Sequence, residues 1–377
     1  MNLYNGTQGK GFEIPTIGVE EEYQIVDPRT RELSSDTKVL LEEGEALYGT
    51  HIRPEFHSPV VEVVTTVCQT VKEVTEQIVE LRRTMIGLAR KQNLAIVSAS
   101  THPITNWREV TLSPGERYLQ IERDLGDVVR SNLIYGMHCH LGIKDQDARI
   151  HVMNAARNFI PHLVALSCSS PFWQGRDSGL ASTRTAIFRR FPRTGLPDHF
   201  NSFREFEAYV KLLIDVGSID NAKRIYWDIR PHPFYPTIEF RACDLPTRAK
   251  ECAGVIALIH CIGTRLLNLY RRDMGYRLYR RALINENCYR AYRYGLNGEF
   301  IDFLTNKTVP VKDAIRNLID TLAQEIQLLG VESEIGEVYR ILDHGNSADR
   351  QRRVFAETGS LHAVVDYLIA ETAEGVV

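Results

Sequence analysis

The chain has 377 residues, 44% of them hydrophobic and 25% charged, the proportions of a folded globular protein rather than a disordered one. Lys plus Arg total 45 against 48 for Asp plus Glu, a formal net charge of −3, so no global positive field exists to hold a nucleic-acid backbone. At about 150 residues per domain the length allows two or three units, yet no repeat, low-complexity tract or linker divides it, and residues 1–377 read as one catalytic domain with helical insertions.

Residues 1–10 are polar and lack the basic and apolar regions of a secretory leader, so a cytoplasmic location is expected. Gly6, Gly9 and Gly11 follow no strand and make no dinucleotide fingerprint. Residues 16–26 alternate as a strand: one face takes Ile17, Val19, Tyr23 and Ile25, with Glu21 as an exception, and the other takes Glu20 and Glu22. Residues 60–67 form a β-branched strand interrupted by Glu62. Residues 71–91 carry Val74, Ile78, Leu81, Met85 and Leu88 at helical spacing.

In 134–143 the apolar face is Met137, Cys139, Leu141 and Ile143, with His138 and His140 opposite. Residues 226–230 and 237–243 are the last strands, and in the second Glu239 and Arg241 share a face. The apolar run 252–263, with His260 inside it, is too short for the roughly 20 residues that span a bilayer and reads as a buried helix, so no membrane partner is expected. Residues 314–329 repeat the helical pattern, with Gly330 as a cap. The seven cysteines are scattered, form no C-x-x-C pair, and read as reduced core thiols.

On one sheet, these strands would collect four glutamates, two histidines and an arginine on the face away from the apolar residues. A one-sided antiparallel sheet with its polar face in water also carries charges, but glutamates two apart recurring on several strands favour a site. Clustered carboxylates raise each other's pKa unless a cation neutralises them, and oxygen donors in this number suit Mg²⁺ or Mn²⁺ better than zinc. Metal-bound carboxylates with arginines nearby are the recurrent arrangement for phosphoryl transfer. No phosphate-binding loop or kinase motif is present, so a nucleotide would be held through the metals and the sheet.

The sequence resembles the carboxylate–amine ligases of the type 2 glutamate–cysteine ligase group, relatives of glutamine synthetase. The resemblance spans about Phe12 to Asp366 and rests on segments in family order. They include Gly18-Val19-Glu20-Glu21-Glu22-Tyr23, Thr101-His102-Pro103, Gly136 to Gly142, Ser170 to Gly175, Trp227-Asp228-Ile229-Arg230-Pro231, Glu239-Phe240-Arg241 and Gly345-Asn346-Ser347-Ala348. It implies an α+β, glutamine synthetase-like domain: a curved antiparallel sheet whose concave face holds Mg²⁺-ATP and whose convex face is backed by helices. It further implies Glu20, Glu22, Glu55, Glu62, His138 and Glu239 as metal ligands, with His140 holding a weaker claim. Arg241 would neutralise phosphate, and Arg230 would hold a substrate carboxylate or phosphate.

The implied reaction joins an amino-acid carboxylate to an amine through an acyl phosphate, with glutamate and cysteine as the default pair. Arg184, at the end of the loop-like segment 170–184, and Arg350, in the polar stretch 343–353, are read as nucleotide contacts, the latter on a lid closing over phosphates. The same segments also suit a surface loop pinned by Phe172 and Trp173, and a solvated charge run. Arg290 and Arg293 fall on an amphipathic helix. A nucleotide or amino-acid sensor on the same fold is the alternative function, a metal-dependent hydrolase a weaker one, and a homodimer is compatible with all three.

Overall fold

The computed structural model describes residues 12–377; the readings made on residues 1–10 and on Gly6, Gly9 and Gly11 lie outside the described residues. Seven strands make the main sheet: β1 (Thr16–Val26), β2 (Ile52–Pro54), β3 (Val60–Val64), β4 (Ala95–Val97), β5 (Met137–Gly142), β6 (Ile229–Pro231) and β7 (Thr237–Phe240). Their order is β6-β7-β5-β1-β3-β2, with β4 pairing the end of β1, and every pairing is antiparallel. An antiparallel sheet keeps one face polar only if helices cover the other.

That cover comes from α1 (Val71–Lys91) and α3 (Ala249–Tyr270), joined by α2 (Gln146–Ala156), α4 (Glu332–His344), α5 (Ser347–Thr358) and α6 (Leu361–Ala373). The Thr70 side chain caps α1 by accepting from Glu73 N at 3.2 Å, and Arg90 and Lys91 complement its C-terminal dipole. Its stripe of Val74, Ile78, Leu81, Met85 and Leu88 is buried as expected, each large apolar side chain contributing about 1.5–3 kcal/mol. α3 is apolar and long enough to cross a membrane, but 94% of its apolar window is buried inside the protein, so its hydropathy is that of a core helix. It lies close on the sheet: a Cβ at Gly263 would stand 2.1 Å from Leu141 Cδ1.

Glu21, the exception on the apolar face of β1, has a partner. Arg82 of α1 reaches it at 3.0 and 3.1 Å, with both side chains fully buried, and also donates to Thr247 O at 2.7 Å and Ser98 Oγ at 3.2 Å. The Tyr23 hydroxyl donates to the same carboxylate. A buried charge persists only with such compensation.

Several element boundaries differ from the sequence reading. The strand expected over 60–67 ends at Val64, where the Thr65 hydroxyl accepts from Val19 N at 2.9 Å in place of a ladder carbonyl. Residues 226–230 divide, because Tyr226–Trp227 pairs in parallel with Thr194–Gly195 while β6 pairs with β7. The helix expected over 314–329 breaks at Leu322 into Val311–Thr321 and Ala323–Leu329, and Gly330 caps it in a left-handed conformation (φ 63°). The stretch 343–353, expected as a polar segment between helices, is mostly helical. α4 ends at His344, Asn346 forms a reciprocal capping box with Asp349, and α5 begins at Ser347. All seven cysteines are buried and unbridged.

Candidate active site

The strand register sets the site. Glu20 of β1 stands opposite His138 of β5, and Glu22 opposite Glu62 of β3. His140 faces Gly18 on one side and Glu239 of β7 on the other, and Glu239 faces Arg230 of β6. At the far edge Arg53 of β2 faces Glu62. Period-two alternation puts all these side chains on the face away from α1 and α3.

Glu20 lies between the two histidines, with Oε2 at 3.1 Å from His138 Nδ1 and Oε1 at 3.5 Å from His140 Nε2. One ligand atom each from Glu20, His140 and Glu239 falls within 4.8 Å of the others, close enough to share one cation. Arg230 Nε donates to Glu239 Oε2 at 2.8 Å, and Arg241 pairs with the other oxygen of Glu239. Arg241 is held by its backbone N–H, which donates to Asp228 O at 2.8 Å. The ring of His232, in the turn between β6 and β7, is centred 5.5 Å from that of His140.

The electrostatics divide the carboxylates into two groups. For Glu22, burial first and then the charge of Glu55 push the pKa up to about 8, against the pull of Arg184, the Gly136 N–H at 2.6 Å and Arg241. Burial and the neighbouring Glu20 and Glu55 push Glu62 well up, with Arg53 opposing. Burial works to raise Glu239 too, but Arg241 and Arg230 outweigh it and hold the group well below the usual carboxylate range. Glu20 is likewise lowered, because hydrogen bonds from both histidines overcome its burial. Burial, aided by Arg241, brings His138 down to about 4, so its imidazole is neutral and able to ligate at neutral pH.

A divalent cation fits this set. Burial and the neighbouring carboxylates push Glu22 and Glu62 up, a charge strain that a cation would relieve, and Arg241 Nε is buried without a hydrogen-bond partner on the same face. Glu55 joins through its charge on Glu22 and Glu62, its Oε2 accepting from Phe56 N at 3.0 Å in the turn after β2.

The two arginines expected as nucleotide contacts differ in place: Arg184 borders the carboxylate cluster, and Arg350 lies on the helical side. Arg184 is buried at the start of the short helix Thr183–Phe188 and donates to Arg241 O at 3.0 Å and Ala242 O at 3.3 Å. A Cβ at Gly136 would sit 2.4 Å from its Nη2, so that glycine leaves room for the guanidinium. Arg184 thus tethers the chain bearing Arg241 and acts on Glu22 through its charge. Arg350 is not at the site. It is buried on the helical side, bound to Glu251 of α3 at 2.7 and 2.8 Å and to Tyr367 Oη at 2.9 Å, where it joins α5 to α3 and α6. Segment 170–184 is pinned as the alternative reading had it, with Phe172 and Trp173 buried in two hydrophobic clusters.

Arg53 and His232 went unnoticed in the sequence. β2 is three residues long and shows no alternation, and the sole signal for Arg53 was its place two residues before Glu55.

Known proteins resemble this chain. A protein of Chloroflexus aurantiacus named "Putative glutamate--cysteine ligase 2" is 47% identical over 376 residues, covering 100% of this chain and 96% of that one. One of the same name from Sorangium cellulosum is 48% identical over 363 residues, 96% of each chain. Among solved structures, the glutamate–cysteine ligase of Francisella tularensis in complex with AMP matches with a TM-score of 0.70 and 13% identity over 98% of this chain and 91% of that one. A bifunctional glutathione synthetase from Pasteurella multocida gives 0.71 and 14% over 96% of this chain and 53% of that one. These likenesses establish the α+β glutamine synthetase-like fold. The model of glutamate–cysteine ligase family 2 matches residues 16–367, and the chain belongs to that family of carboxylate–amine ligases.

Proposed function

We propose that the chain, acting as one catalytic unit, joins the carboxylate of one amino acid to the amine of another at the cost of ATP, with glutamate and cysteine as the substrates. The observation that carries this reading is the juxtaposition, on one sheet face, of a carboxylate–histidine cluster with Arg230 and Arg241. The Francisella ligase of similar fold was solved in complex with AMP, which accords with nucleotide-dependent chemistry.

The substrate carboxylate attacks the γ-phosphate of ATP, forming an acyl phosphate as ADP leaves. The amine then adds to the acyl carbon and expels phosphate, leaving an amide. Bound Mg²⁺ or Mn²⁺ would draw charge from the phosphate oxygens, held by Glu20, Glu22, Glu55, Glu62, His138 and Glu239, with His140 added on its geometry. Arg241 offers its unpartnered Nε and its charge to the moving phosphoryl group, and Arg230 fixes Glu239 while lining the same face. Orientation supplies much of the rate, since a bound carboxylate and phosphate need no protein nucleophile.

The test is a panel of amino acids with Mg²⁺-ATP and hydroxylamine. The right acid should release ADP and yield its hydroxamate in equal amount, whereas ADP release independent of any acid would indicate a hydrolase. Nucleotide binding without product across the panel would indicate a sensor.

A further inference from the structure

Arg53 enters the carboxylate cluster from the open edge of the sheet. β2 is the terminal strand, so nothing beyond it in the sheet fixes the side chain, which remains 45% exposed. Its guanidinium nevertheless reaches inward: Nε lies 2.5 Å from Glu62 Oε2 and Nη2 lies 3.8 Å from Glu20 Oε1, and its charge also acts on Glu55. The two partners are anchored. The Glu62 side chain is 8% exposed, and Glu20 is gripped by His138.

A single tethered cation therefore stands among three of the carboxylates assigned to the metal. We propose that Arg53 is a displaceable stand-in for the divalent cation, holding Glu62 and Glu20 in place while no ion is bound and yielding its position when one arrives. The inference rests on the metal reading above. Its physics is simple competition: a guanidinium and a divalent ion compete for the same carboxylate oxygens, and at such separations their charges repel. Arginine suits the task because its planar fork spans two carboxylates from one stem. Its half-exposed position lets it withdraw into water without leaving a buried charge behind. Arg53 is thus a positioning residue, setting how tightly a bare ion binds.

The test uses the full chain stripped of metal by chelation and titrated with Mn²⁺ without nucleotide, free Mn²⁺ being followed by electron paramagnetic resonance. Arg53→Gln should bind Mn²⁺ at least tenfold more tightly than wild type, and Arg53→Lys, which keeps the charge, should stay within about threefold of wild type. Without metal Arg53→Gln should melt below wild type, and saturating Mn²⁺ should close that gap. Unchanged or weaker Mn²⁺ binding by Arg53→Gln, with wild type still binding, would overturn the stand-in and leave the metal reading intact. If neither wild type nor variant binds Mn²⁺, the metal reading falls and the stand-in falls with it.

Discussion

Glu22 gives the sharpest test of the electrostatics of the site. Its carboxyl is pushed up to about 8 by burial and by Glu55, from a starting value of 4.5. A carboxyl raised in this way holds a proton in the folded state that the unfolded chain has already released. Its contribution to stability is therefore present below about pH 4.5 and is lost as pH rises toward 8. The loss can reach about 1.4 kcal/mol per pH unit for one proton, so a ceiling of about 2.7 kcal/mol applies between pH 5.5 and 7.5.

Glu22→Gln removes this titration but keeps an oxygen to accept the Gly136 N–H. Urea unfolding of chelated protein at several pH values should show wild type losing ground to the variant as pH rises. Saturating Mg²⁺ should flatten or reverse the difference, because a bound cation favours the ionised carboxylate. Parallel pH profiles for the two chelated proteins would refute the argument that burial and Glu55 hold a proton on Glu22.

Other perturbations separate the two faces of the sheet. Arg82→Met leaves Glu21 buried without its cation, so equilibrium unfolding should show a loss of about 3–5 kcal/mol, and adding Glu21→Gln should recover part of it. Arg241→Lys keeps the charge but loses the planar fork, so steady-state kinetics should show a fall of at least tenfold in kcat with a smaller change in KM for the amino acid. Arg350→Gln strands Glu251 in the helical layer and should lower the melting temperature, while calorimetry should find ADP affinity within about twofold of wild type.

The chemistry of the site was legible wherever a strand is long and one of its faces is buried. β1 shows this: its alternation placed Glu20 and Glu22 together because a slip of one residue would bury both. Glu21 broke the pattern because its partner Arg82 lies 61 residues away on α1, beyond any local rule. Short strands carry no period, and for that reason β2, β4 and the place of Arg53 were missed.

Arg350 misled for a related reason. An arginine in a charge-rich stretch reads as solvated or phosphate-binding, and only tertiary packing shows that Glu251, 99 residues away, awaits it inside the helical layer. His140 stood second to His138 because the family resemblance already gave the ligand position to its neighbour, while alternation ranks neither above the other. The register that places His140 beside Glu239 arises from the β5–β7 pairing, which joins strands almost 100 residues apart.

The acyl phosphate is the central claim, and one isotope measurement addresses it directly. Glutamate labelled with ¹⁸O in its side-chain carboxylate is supplied with Mg²⁺-ATP and cysteine, and the released phosphate is analysed by mass. If the carboxylate attacks the γ-phosphate, one of its oxygens bridges carbon and phosphorus and departs with phosphate when the amine adds, so one labelled oxygen should appear per amide formed. Amide formation with unlabelled phosphate would contradict the account, because carboxylate activation would then proceed without a carboxylate–phosphorus bond.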